Sequence, residues 1–161
     1  MIRLALLLGG CAAEATPSGL AASTFALEPG RALQHAPIDD PASEATRWLV
    51  GVGDTWELRA GESADGELIE ALDVSLSGDL AVEGAIVLPA SVSVGAAAGD
   101  AVVRDVGPFD GWYGTFDPAA VVEVTAGRAA GEWVFAPGFG PIRYALDGAS
   151  WELVSYDGQP P

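Results

Sequence analysis

Residues 141–156 read P-I-R-Y-A-L-D-G-A-S-W-E-L-V-S-Y, and no other stretch limits the fold so tightly. Asp147-Gly148 suits a two-residue type I′ turn, because both central positions of that turn take positive φ. Closing the chain there sets Leu146 against Ala149, Tyr144 against Trp151 and Ile142 against Leu153 on one face. Arg143 then meets Glu152 on the other face, beside Ala145 and Ser150. Turn chemistry, alternation and charge pairing agree in a single register. The apolar pairs predict a core face. The Arg143–Glu152 pair reads as a solvent-side salt bridge, worth under about 1 kcal/mol.

The same texture runs back to residue 46. All five tryptophans and all three tyrosines lie between 48 and 156, in short alternating runs punctuated by Gly, Pro and Asp-Gly. Trp48, Val50 and Val52 alternate with Leu49 and Gly51; Leu72, Val74 and Leu76 alternate with Asp73 and Ser75. Ile86 and Leu88 continue past Pro89 to Val92 and Val94, so Pro89 predicts an edge strand or a bulge. In A-P-G-F-G, residues 136–140, Pro137 fixes φ, Gly138 and Gly140 suit positive φ, and Phe139 is placed to cover the end of a sheet. The expectation is one all-β domain over 46–157, an antiparallel single sheet, sandwich or half-barrel, with a tail over 158–161.

Residues 11–45 differ. They are rich in Ala, Pro, Ser and Gly and hold Phe25 as their one aromatic residue, with no clear periodicity. Such a segment offers little to offset the entropy of ordering and reads as a low-complexity tether. His35, the single histidine, falls within it and reads as a solvated residue rather than a ligand or a catalytic base. Ahead of the tether come Arg3, the apolar run Leu4–Leu8, Gly9, Gly10 and the single cysteine, Cys11. This start resembles the signal peptide of bacterial lipoproteins, with Leu8-Gly9-Gly10-Cys11 in the place of the lipobox. The resemblance implies removal of residues 1–10 and diacylglycerol on Cys11, and Ala12 after the cysteine implies the outer membrane. More than one acyl chain is needed for stable anchoring.

Two further stretches resemble a diffuse class of uncharacterised exported bacterial proteins and lipoproteins. L-V-G-V-G-D-T-W-E-L (49–58) is similar to its opening segment, and E-W-V-F-A-P-G-F-G-P-I-R-Y (132–144) to a segment near its end. The final strand, Glu152-Leu153-Val154-Ser155-Tyr156, continues that likeness. The resemblance implies an antiparallel β domain and export, and assigns no catalytic or ligand residue.

Charge and composition narrow the function. Seven arginines and no lysine stand against 23 acids, for a formal net charge of −16. A chain so acidic repels phosphate backbones, so no nucleic-acid partner is expected. One cysteine allows no intramolecular disulfide and no cysteine-cluster zinc site. A Ser-His-Asp site lacks a usable histidine. No metal or cofactor is expected: the acidic loops at 61–67 and 99–107 lack the calcium-ligand rhythm and read as solvated.

The segment G-P-F-D-G-W-Y-G-T-F (107–116) sets Phe109, Trp112, Tyr113 and Phe116 among glycines. It is the candidate ligand-contact loop, with a loop folded over an open sheet end as the competing reading. The function expected is a non-catalytic binding or structural β module, anchored to the membrane through acyl chains on Cys11, with an envelope protein, glycan or lipid as ligand. A lipid or lipoprotein carrier with an apolar cavity in a curved sheet is the alternative, and a carboxylate-dependent hydrolase a remote one.

Overall fold

The computed structural model describes residues 20–40 and 45–156; the signal segment, Cys11 and the tail at 158–161 lie outside them. Two antiparallel meanders share one twelve-stranded sheet, nearly closed and barrel-like. After the short strand β1 (Leu20–Ala21), the first meander runs through β2 (Ala32–Pro37), β3 (Arg47–Val52), β4 (Thr55–Ala60), β5 (Glu67–Ser77), β6 (Asp79–Val82) and β7 (Ala85–Leu88). β8 (Ser91–Val92) leaves to pair with β1. The second runs through β9 (Ala97–Ala98), β10 (Ala101–Asp110), β11 (Thr115–Val124), β12 (Gly131–Ala136), β13 (Gly140–Leu146) and β14 (Ala149–Tyr156). β14 pairs with β2 and joins the two, while β7 at the far edge lies against β10 and β11.

The final hairpin has the predicted register: Arg143↔Glu152, Tyr144↔Trp151, Ala145↔Ser150 and Leu146↔Ala149. Its inner face carries Tyr144 and Trp151 with Trp133 beside them, rings 6.4 Å and 6.0 Å from Tyr144. Gly138 and Gly140 take positive φ as expected, and Phe139 packs on Phe116 and Tyr156. Pro89 does more than blunt an edge. It separates β7 from β8, which belongs to a different sheet. In β3 the inner face is Leu49 and Gly51; Trp48 is buried on the other side, its indole N–H donating to the Gly61 carbonyl at 3.2 Å.

The tether expected over 11–45 is corrected by the fold. Its second half is a plug and a central strand. A single 3₁₀ turn, Ala22–Phe25, leads into a segment that crosses one end of the barrel, with Ala22 and Phe25 fully buried and Leu27 nearly so. This segment is tied on both sides: the Gly138 N–H donates to the Thr24 carbonyl at 3.1 Å, and the Gly30 N–H to the Gly51 carbonyl at 2.8 Å. Two glycines make room for it. A Cβ on Gly51 would stand 2.5 Å from the Glu28 carbonyl oxygen, and one on Gly140 would stand 2.8 Å from the Leu27 Cβ. The domain therefore begins well before residue 46, because Phe25, Leu27 and Leu33 supply core that the strands alone leave open.

His35 is likewise corrected. It is fully buried in β2, with Nδ1 3.2 Å from the Leu33 carbonyl, Nε2 2.9 Å from the Pro141 carbonyl, and its ring edge-on to Tyr144. Burial drives its pKa down to about 4, against the opposing pull of the Pro141 and Leu33 carbonyls. The unfolded chain titrates near 6.5, so it takes up the proton first as pH falls. This contribution to stability is complete above pH 6.5 and is lost on descending to pH 4, a loss of roughly 3 kcal/mol. Urea unfolding across that window is expected to show the slope in the wild type and its absence in His35→Gln; equal slopes would refute the assignment. Phe25→Ala is expected to cost about 3–5 kcal/mol in the same measurement, whereas a solvated tether residue would cost almost nothing.

Candidate functional site

The antiparallel path sorts the turns between two ends of the barrel. The plug end holds the turns at 53–54, 111–114 and 137–139; the opposite end holds those at 61–66, 125–130 and 147–148. The candidate ligand-contact loop is the tip of the β10–β11 hairpin, at the plug end. Its strands pair from Ala101↔Val124 to Asp110↔Thr115, with register shifts at 103–105 and 107–109. Such bulges bend and twist a hairpin. Here the tip meets the outer face of β13 and β14. The Trp112 backbone N–H donates to Glu152 Oε1 at 2.8 Å, and the Arg143 guanidinium lies over the Phe109 ring, 5.0 Å from its centroid. Gly111 fits this seat because it lacks a side chain: a Cβ would stand 3.0 Å from Glu152 Oε1 and 3.2 Å from the Phe109 ring.

The four rings of the loop divide. Phe116 is buried, edge-on to Phe139 at 5.1 Å, and half-buried Tyr113 stacks on Phe116 at 6.1 Å. Phe139 continues the cluster to Tyr156 at 4.7 Å, and the Arg31 guanidinium caps Tyr156 at 5.1 Å. Phe109 is half-buried beneath Arg143. Trp112 alone of the four stays outside, 42% exposed. Phe116 and Tyr113 thus pack over the sheet end with Phe139, Phe109 lies beneath Arg143, and the Trp112 ring stands at the surface.

The seat itself was not foreseen. The Arg143–Glu152 pair forms in the expected register but is not solvent-side. The Glu152 side chain is only 3% exposed beneath the hairpin tip, and Arg143 reaches both Glu152 and Glu132. Partial burial lowers the pKa of the Arg143 guanidinium, but hydrogen bonds to Glu152 and Glu132 outweigh that and raise it above the ordinary arginine value. Removing one partner of a buried pair leaves an uncompensated charge, so this pair matters more than a surface bridge does.

Beside the seat, a shallow groove of about 550 Å³ runs along β11 and β12, lined by Arg104, Val121, Glu123, Thr125, Gly131 and Glu132 among others. Glu123 and Glu132 face each other across the two strands, the arrangement a carboxylate hydrolase requires. Each is instead tied to an arginine, Glu123 to Arg104 and Glu132 to Arg143. Among the described residues no group of three or more His, Cys, Asp or Glu side chains is placed to hold a metal ion. His35 is fully buried in the core and lines no part of this groove.

Comparison with known proteins returns no match: no family model, no curated protein and no solved structure resembles the chain closely enough to count.

Glu152→Ala is expected to destabilise the domain by about 3 kcal/mol and to release the Trp112 amide. Urea unfolding and amide hydrogen exchange check this. Undiminished protection at Trp112 would mean that the tip is held without Glu152.

Proposed function

We propose that the protein is a membrane-anchored envelope lipoprotein whose β domain is a non-catalytic binding module, with Trp112 as the ring that meets the ligand. The observation that carries this reading is Trp112 itself. A large aromatic side chain stands 42% exposed on a tip whose backbone is fixed to a buried carboxylate. Burying an indole from water is strongly favourable, and a tip already ordered loses little entropy when a partner covers it. The surrounding acids favour a neutral or cationic ligand at that tip, such as an envelope protein or a glycan, over a polyanion.

The geometry supports a carrier less well. Trp133, Phe135, Leu33, Leu49, Leu58 and Ile142 are each essentially inaccessible and belong to one contiguous core, so the barrel interior is filled by its own side chains. Anchoring rests on the lipobox-like Leu8-Gly9-Gly10-Cys11 and the chemistry of its thiol, and Ala12 favours the outer membrane.

Native mass spectrometry of the full-length protein taken from its own envelope tests both halves. The wild type is expected to carry acyl mass that Cys11→Ser lacks, and a bound ligand that Trp112→Ala loses. An unacylated wild type refutes the anchor, and a ligand retained equally by Trp112→Ala refutes the binding role.

A further inference from the structure

The end of the barrel opposite the plug holds a second feature that nothing above uses. Six arginines fall among the described residues, and five of them meet a carboxylate: Arg31 with Glu28, Arg59 with Glu57, Arg104 with Glu123, Arg128 with Glu70 and Asp147, and Arg143 with Glu132 and Glu152. Arg47 makes no salt bridge to any described residue. Among the described residues it therefore differs from the other five arginines, although it lies near enough to Asp147 to lower that carboxyl's pKa through space.

What holds Arg47 is an aromatic stack. It opens β3 on the inner face, opposite His35 in register, and its guanidinium lies 4.2 Å from the centroid of Trp151. Tyr144 lies beyond Trp151, its ring nearly parallel at 6.4 Å. Stacking occupies the flat face of a guanidinium and leaves its N–H edges free, and those edges match a carboxylate bidentately. The same stack contains two further buried donor groups without a partner, the Trp151 indole N–H and the Tyr144 hydroxyl. Two buried polar groups without a partner thus lie in the same stack as the Arg47 guanidinium.

Arg47 and Trp151 line an open groove of about 400 Å³, whose walls mix the apolar Ala45, Ala60 and Ile69 with Thr46 and Glu62. That volume is in the range of small-molecule sites. Nearby acids are engaged elsewhere: Arg128 holds Asp147 at 2.8 Å and Glu70 at 2.9 Å, bridging the β13–β14 turn to β5 across this end. Hydrogen bonds from Arg128, with the charges of Arg128 and Arg47, keep the exposed Asp147 carboxyl below its ordinary pKa. Glu62 is the one acid of the lining, an exposed residue beyond salt-bridge reach of Arg47.

We infer that this groove binds a small organic monocarboxylate, its carboxylate on the Arg47 edge and its short apolar body against Ala45, Ala60, Ile69 and Trp151. One guanidinium neutralises one charge. A phosphate-like dianion would feel the field of the acidic chain twice over and is disfavoured. The apolar side chains of the walls ask for an aliphatic substituent rather than a bare ion.

The test is a titration of the full chain with butyrate, followed by the ¹⁵N–¹H resonance of the Arg47 side chain, which Arg47→Lys identifies by its loss. The expected result is a saturable shift with butyrate and none with butyramide, its uncharged counterpart. Glu62→Gln, which removes the neighbouring negative charge, is expected to tighten binding about two- to fivefold. Trp112→Ala, at the other end, should leave it unchanged, so this site and the hairpin tip fail or stand separately. No saturable shift, an equal shift with butyramide, or a response to inorganic phosphate but not to butyrate would each overturn the assignment.

Discussion

Strand β2 sits between β3 and β14, and its place depends on the stretch of backbone just before it. The Gly51 N–H donates to the Arg31 carbonyl at 2.9 Å and the Gly51 carbonyl accepts from Gly30, so the chain turns into the barrel at one fixed point on β3. Gly140 admits Leu27 on the far side of the same opening. With the plug seated, Phe25 and Leu27 complete the core, and β2 enters in the register that pairs Leu33 with Leu49 and His35 with Arg47. Shift that entry by one residue and Leu33 and His35 would exchange faces with Gln34 and Ala36. The joining of the two meanders, and the burial of His35, follow from this crossing.

The parts legible in the sequence were those whose determinants are local. The hairpin around Asp147-Gly148 carries its turn, alternation and cross-strand charge within 12 residues, and its four pairs from Arg143↔Glu152 to Leu146↔Ala149 agree with the expected register. Phe139 and its flanking glycines were legible for the same reason. The strand at 32–37 was not. Its inward residues are Leu33 and His35, and a histidine on a core face breaks the apolar alternation by which strands are recognised. What makes that histidine acceptable inside is the Pro141 carbonyl, 106 residues away. Phe25 was the available signal: a lone aromatic in a polar stretch is better explained by a core that needs it than by a tether that does not.

Of the candidate loop, the residue types were legible but their division was not. Nothing local distinguishes Trp112 from Tyr113. The difference arises because Phe139 and Phe116 pack against Tyr113 and not Trp112, while Glu152, 40 residues on, takes the Trp112 amide. Arg47 hides for a related reason. It stands out only once the other described arginines are seen to be paired, and those pairings join residues as far apart as Glu70 and Arg128.

That β14 is the strand lying against β2 also orders events in time. The meanders from β2 to β7 and from β9 to β14 can each form from neighbouring hairpins, but the ladder between them joins residues near opposite ends of the chain. Until the last strand is available, β2 presents an unpaired edge and the Pro141 carbonyl that His35 requires is missing. Loops of this length must close before their contacts repay them, and topologies of that kind fold slowly. Synthesis from the N-terminus therefore leaves that edge open from β2 until β14 emerges, and the β13–β14 hairpin, the most self-sufficient piece of the sequence, is what shuts it.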